Sequence, residues 1–262
     1  ILFGMEQLVA TPHLGASTSE AQENVALQVA EQMSDYLVDG AVTNALNMPS
    51  ITAEEAPRLK PYMTLAEQLG GFMGQVIDSG IKAVTVEYEG DATQLNTRPI
   101  HAVILQSLLA PVLDESVNMV NAPVVAKERD IDCRDVKLNR EGNYHTLIRL
   151  TVDTENRSRV IEGTLFADRQ PRIVKVMGID IEAQLGRTML YVTNDDKPGF
   201  IGALGSILGD ANINIANFNL GRSVQADGGA LALIDVDEDV PQDVLAKICD
   251  LSYVRQAKVL RF

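Results

Sequence analysis

Residues 190–222 read LYVTNDDKPGFIGALGSILGDANINIANFNLGR, and their pattern decides the fold of the last third of the chain. TMLYVTN (188–194) reads as a strand, PGFIGALGSILGDAN (198–212) as a helix, and INIANFNLGRS (213–223) and GALALIDVDE (229–238) as two strands joined by a Gln225–Gly229 turn. PQDVLAKICDL (241–251) then gives a helix and VRQAKVLRF (254–262) a closing strand. The order is β-α-β-β-α-β, the ferredoxin-like plan, which predicts a four-stranded antiparallel sheet with both helices on one face. A sheet in so small a module leaves its other face uncovered, so the pattern also predicts pairing with a second copy.

Upstream, helices and strands mix without strict alternation, which predicts an α+β or loose α/β layer over residues 54–185. RLKPYMTLAEQLGGFMGQVIDSG (58–80) is helical, with Tyr62, Leu65, Leu69 and Met73 on one face. IKAVTVEYEG (81–90) alternates as a strand, RPIHAVILQSLLAPVL (98–113) and SVNMVNAPVVAKERDI (116–131) read as helices, and residues 145–183 as a series of strands. Asn156-Arg157 and Asp168-Arg169-Gln170 punctuate those strands. At the head of the chain EQLVATPHL (6–14) reads as a strand end running into a loop at Pro12. A helix follows, capped by Ser17, Thr18 or Ser19, striped by Ala21, Val25, Val29, Met33 and Leu37, and ended by Asp39-Gly40. VTNALNMPSITAEEAP (42–57) is polar, broken by two prolines, and reads as a linker or hinge.

Composition bounds the function. The chain carries 46% hydrophobic and 22% charged residues and a net charge of −14. Such a field repels phosphate backbones and anionic lipid, which argues against nucleic-acid and membrane partners. No apolar run is long enough to span a bilayer. Cys133 and Cys249 stand far apart, so neither a disulfide framework nor a cysteine metal site is expected, and a reducing cytoplasm is the natural setting. Residues 1–57 hold eight acidic residues and no Lys or Arg.

The turn NDDKPGFIG is the leading site. Pro198 fits a first helical turn, Gly199 permits close approach of a ligand, and the free N–H groups at the helix start suit a carboxylate. Asp196 beside them suits an ammonium, so the turn offers both charges that a free amino acid needs. Capping of the helix by Asp196 is the simpler alternative. In the middle region Lys127 and Arg129, and Arg169, Arg172 and Lys175, concentrate cations, whereas His101 and His145 read as structural.

Residues 190–222 are similar to the ACT domain, an amino-acid-binding regulatory module, through the Pro-Gly turn, Gly202–Leu208, NINIA (212–216) and Gly221-Arg222. TPHLGASTSEAQENVALQVAEQM (11–33) resembles the end of the catalytic part of the D-3-phosphoglycerate dehydrogenase family. PSITAEEAPRLKP (49–61) and NAPVVAKERDI (121–131) resemble its long bacterial form, which has an intervening domain between the catalytic and ACT parts. The resemblance implies residues 1–50 as the end of the catalytic part plus hinge, 51–186 as an intervening allosteric substrate-binding domain, and 187–262 as the ACT regulatory domain. It implies NAD as cofactor of the parent enzyme, none bound by this chain, and His13 of TPHLGA as the general acid/base of the parent. No G-x-G-x-x-G turn follows a strand here, so this chain alone is expected not to be catalytic. The resemblance further implies L-serine as effector, held by Asn194, Asp196, Pro198, Gly199 and Asn214, with Asn214 on the same or a facing chain. For the intervening domain it implies an anionic ligand, with Lys127 and Arg172 as candidate contacts, and for the whole a dimer or tetramer built through ACT domains. The alternatives are a free-standing ACT-type sensor and a part of an iron–sulfur L-serine dehydratase, the latter lacking grouped cysteines for its cluster.

Overall fold

The computed structural model describes residues 5, 8–113, 116–139, 142–166, 169–224 and 228–262. The chain divides into two compact units, residues 1–57 and 58–262. In the first, Thr18 caps α1 (Ser19–Asp39) by accepting a 3.1 Å hydrogen bond from the Ala21 N–H. Gly40 ends it at φ +73°, donating to the Tyr36 carbonyl. No residue of α1 is buried, and Val25, Val29, Met33 and Leu37 all lie open. The strand expected over 6–14 does not form: Glu6 and Gln7 lie outside the described residues and 8–14 is irregular. A strand needs a neighbour to complete its ladder, and none is present in this unit among the described residues. The predicted linker is more ordered than its composition suggests, because Val42 and Ile51 exchange two 2.7 Å backbone hydrogen bonds across it. Thr52 and Glu55 then form a reciprocal capping box that starts α2 (Ala56–Val76).

In the second unit a six-stranded sheet has the order β2-β1-β3-β4-β5-β6. Its strands are β1 (Ile81–Gly90), β2 (Asp132–Leu138), β3 (Thr146–Thr154), β4 (Ser158–Leu165), β5 (Pro171–Val176) and β6 (Ile179–Ala183). β2 was not foreseen. It pairs parallel with β1 after a crossover through α3 (Thr97–Leu109) and α4 (Ala122–Glu128), and α4 fills only part of the helix expected over 116–131. The turn at Asn156-Arg157 joins β3 to β4 around the Thr154 hydroxyl; of the 168–170 turn, Asp168 lies outside the described residues.

Glycines set how closely the layers meet. A Cβ on Gly70 or Gly74 of α2 would fall 2.5 Å from the Ile104 carbonyl oxygen or 2.3 Å from that of Leu108, so these two positions let α2 lie against α3. Leu65, Leu69, Met73, Ile100, Ile104 and Leu108 are fully buried in this layer. The opposite face of the sheet is polar for a visible reason. Glu87, Arg149, Glu162, Lys175 and Asp180 stand in register across five strands with alternating charge. Arg149 bonds Glu87 at 3.1 Å and Glu162 at 2.9 Å, and Lys175 pairs with Asp180 at 2.9 Å. Cross-strand pairs of this kind stabilise a solvated face.

The C-terminal sheet has the order β10-β7-β9-β8, all antiparallel. It comprises β7 (Thr188–Asp195), β8 (Ile215–Arg222), β9 (Gly229–Val236) and β10 (Val254–Arg261), with α5 (Phe200–Asp210) and α6 (Gln242–Cys249). This is the predicted βαββαβ order, although Gln225–Asp227 of the β8–β9 turn lie outside the described residues. Leu190, Val192, Ala232 and Ile234 pack with Leu204, Leu208, Val244 and Ile248 of the helices. One expectation fails here: the other face is not uncovered. Met189, Tyr191, Leu231 and Leu233 are also buried, and Tyr191 meets Phe72 of α2 edge-on at 5.5 Å. Gly221 lies against β6 at the Asp180 carbonyl. The chain's own α2 and β6 supply the cover expected from a second copy.

The glycine contacts predict opposite outcomes for two substitutions. Gly74→Ala drives a methyl into the Leu108 carbonyl and should lower stability by about 1–3 kcal/mol. Gly205→Ala in α5 meets open space and should raise stability by up to about 1 kcal/mol. Urea midpoints of the two variants check both signs.

Candidate functional site

A pocket of about 290 Å³ opens where β7 gives way to α5, lined by Asn194, Asp196, Pro198, Gly199, Leu220 and Arg222 among others. Gly199 is the N-cap of α5 at φ +97°, with no side chain capping the first turn. The left-handed φ, and not a close neighbour, is what requires glycine, since a Cβ there would meet open space. Pro198 therefore precedes the cap and does not occupy the first helical turn as predicted, because the positive φ at Gly199 separates it from the helix. The first N–H groups of α5 remain free to accept an anion.

Asn194 is 2% exposed. Its Nδ2 donates to the Asp195 carbonyl at 2.7 Å, whereas its Oδ1 is buried and finds no partner among the described residues. A buried acceptor left unsatisfied costs stability unless something donates to it. The consecutive aspartates diverge. Asp195 takes Arg255 at 2.8 Å, and that hydrogen bond holds its carboxyl below the usual range. Asp196 turns into the pocket mouth and pairs with Arg222 Nε at 3.2 Å. Asp196 does not cap α5. Register explains the arrangement: Asn194 stands opposite Ala230 of β9, and Ala230 opposite Arg222 of β8.

Asn214 is elsewhere. It precedes β8, donating from Nδ2 to Asp237 at 2.6 Å and from its backbone to Glu238 at 2.7 Å. Eight residues of strand separate it from Arg222, about 26 Å of extended chain. Within one chain Asn214 thus does not join Asn194 and Asp196. His13 lies exposed in the irregular segment before α1.

The predicted anion contacts are likewise apart. Lys127 lies in α4, which adjoins β2 at one edge of the six-stranded sheet, and Arg172 in β5, four positions along it, about 19 Å at the usual strand spacing. Arg172 stacks over Phe166 at 5.5 Å. Phe166 lines a different cleft of about 870 Å³, with Arg58, Tyr62, Tyr144, His145, Thr146 and Arg169 among its walls. Among the described residues neither Arg58 nor Arg169 forms an ion pair, and the buried Thr146 hydroxyl has no partner. His145 lines this cleft. His101 does have a structural partner: its Nδ1 meets Asp135 Oδ1 at 2.5 Å. Burial opposes the charge on His101, but the Asp135 hydrogen bond overrides it and lifts the pKa to about 9. Among the described residues no group of three or more His, Cys, Asp or Glu could hold a metal ion, and no helix is long and apolar enough to cross a membrane.

Sequence reasoning missed Arg58, Thr146 and the role of Arg222. Only the β7–β9–β8 register reveals Arg222 beside Asn194. Arg58 lies in the first turn of α2, and its place in one cleft with Arg169 depends on how α2 lies on the sheet.

Comparisons with known proteins agree with this geometry. Residues 58–177 match the D-3-phosphoglycerate dehydrogenase intervening domain, and residues 188–252 the ACT domain. The chain is 34% identical over 259 residues to a D-3-phosphoglycerate dehydrogenase of Methanocaldococcus jannaschii, covering 99% of this chain and 49% of that protein. It is 35% identical over 255 residues to that of Synechocystis, covering 97% and 46%. For the Bacillus subtilis protein the identity is 32% over 253 residues, covering 97% and 48%. The chain spans about half the length of the curated relatives it matches. An intervening domain followed by an ACT domain, with relatives named D-3-phosphoglycerate dehydrogenase matching 97–99% of the chain, identifies it as the C-terminal part of a member of the D-3-phosphoglycerate dehydrogenase family.

Proposed function

We propose that this chain is the regulatory part of an NAD-dependent D-3-phosphoglycerate dehydrogenase, acting in the cytoplasm in the first step of L-serine synthesis, and that its ACT pocket binds L-serine. In this reading residues 1–50 complete the catalytic part and hinge, 51–186 form the intervening domain and 187–262 the ACT domain. His13 serves as general acid/base in the whole enzyme. Gly70 and Gly74 lie inside α2 against α3, and in this reading the NAD contacts belong to the catalytic part. The open stripe of α1, with Val25, Val29, Met33 and Leu37 exposed, suits packing against that part.

The observation that carries the serine reading is the buried Asn194 Oδ1, without a partner among the described residues, in the pocket that Asp196 also lines. The ligand ammonium pairs with Asp196, its hydroxyl donates to Asn194 Oδ1, and its carboxylate meets the uncapped start of α5. Self-association fits the same site. β8 is an edge strand, and antiparallel pairing of two copies centred on Phe218 would set Asn214 of a second copy opposite Arg222. Calorimetric titration tests the effector: L-serine should bind saturably, glycine and L-alanine more weakly. Asn194→Ala or Asp196→Ala should weaken serine by about tenfold or more. A folded chain that takes up no serine refutes the reading.

The intervening domain supports a second ligand through the cleft between Arg58 and Arg169. Two guanidiniums and a Thr146 hydroxyl that find no partners among the described residues line one cleft and suit a small phosphate or carboxylate anion. At constant ionic strength, inorganic phosphate should raise the melting temperature, and the double variant Arg58→Ala, Arg169→Ala should lose that shift. An equal shift in the variant would place the anion elsewhere.

A further inference from the structure

We infer that Arg222 and Asp196 form a charge pair that a zwitterion divides, Asp196 taking the ligand's ammonium and Arg222 its carboxylate, so that Arg222 sets the selectivity of the pocket. The inference rests on the amino-acid reading of the pocket and adds the residue that makes it specific for molecules carrying both charges.

Three observations carry it. The Arg222–Asp196 contact of 3.2 Å lies at the pocket mouth, and its side chains are 71% and 36% exposed. A pair so exposed contributes little to folding, so a ligand that offers each member a new partner separates it at small cost. Secondly, among the described residues no other side chain pairs with these two groups. Asp195 is engaged by Arg255 and Lys197, which leaves Asp196 and Arg222 to each other. Thirdly, the buried Asn194 Oδ1 lacks a donor among the described residues, and Asn194 is aligned with Arg222 across β9. A ligand bridging Arg222 and Asp196 therefore extends over an acceptor that has been left open.

The arrangement also explains why one carboxylate and one guanidinium are kept together at the mouth. A free ammonium compound must displace Arg222 from Asp196 and gives the guanidinium nothing in return. An acid without an amine must displace Asp196 from Arg222 on the same terms. Only a zwitterion compensates both, with charge-assisted hydrogen bonds on each side. Its carboxylate lies then between the Arg222 guanidinium and the start of α5, two sources of positive potential that reinforce one another.

The test compares L-serine with ethanolamine, which keeps the ammonium and hydroxyl but lacks the carboxylate, by calorimetry on the full chain. The wild-type chain should prefer serine strongly. Arg222→Ala should weaken serine by about tenfold or more while leaving ethanolamine unchanged or tighter, since its competitor for Asp196 is gone. Arg222→Lys should recover part of the serine affinity, because a point charge replaces the planar fork. Circular dichroism of these surface variants should match wild type. Serine affinity unchanged or improved in Arg222→Ala overturns this inference alone. Failure of the wild-type chain to bind any amino acid overturns it together with the reading of the pocket.

Discussion

The rest of the structure depends on the burial of the second face of the ACT sheet against α2. Phe72 and Tyr191 meet edge to face at its centre, an aromatic contact worth more than its area alone. At the end of α2 the last carbonyls need donors, and the helix has no basic residue in its last turn. Lys258 of β10 supplies them, reaching the Gln75 and Val76 carbonyls at 3.0 and 3.2 Å, and burial pushes its pKa down. Gln75 answers by pairing its side-chain amide with both backbone groups of Arg261, at 2.8 and 2.9 Å, as a strand neighbour would. The intervening and ACT domains are thus joined by a core contact and by a set of directional bonds that fix its register.

That junction determines which surfaces remain for ligands and for other copies. With one face of the ACT sheet under α5 and α6 and the other under α2 and β6, only strand edges and strand ends stay accessible. The proposed effector pocket uses a strand end, where β7 stops and the Gly199 turn leaves the first amides of α5 without a side-chain cap. In the proposed reading copies pair through an edge, and β8 presents one. The split location of the proposed effector residues follows from the same geometry: Asn194, Asp196 and Arg222 gather at one end of the sheet and Asn214 at the other. On the proposed reading one chain assembles a partial site, and an antiparallel edge pairing is the simplest operation that would unite its halves.

Much of this was legible in the sequence. The βαββαβ order of the last region could be read from alternating strands and helical spacing because both signals are local. The hidden second face was also written there, and was misread. ALALID (230–235) is not an alternating pattern but a near-continuous apolar run, as is MLYV (189–192), and strands buried on both faces read that way. β2 went unnoticed for the opposite reason: DCRDVKL is an edge strand whose charged residues face water. Pro198 fell outside the first helical turn because a positive φ at Gly199 cannot be distinguished, in sequence, from an ordinary cap. Lys127 and Arg172 were grouped by charge alone, whereas the cations that share a cleft, Arg58 and Arg169, come from segments more than a hundred residues apart. Only the tertiary fold brings such residues together.

Native-state hydrogen exchange on the full chain tests most directly whether the two domains act as one piece. If α2 and the ACT sheet share a single core, amides of β7 and β9 will open with the same free energy and denaturant dependence as those of β1 and β3. Phe72→Ala should then lower both sets together. Should β7 and β9 exchange through a separate, cheaper opening that leaves β1 and β3 protected, the junction would be a contact between independent domains, and the account built on it would be wrong.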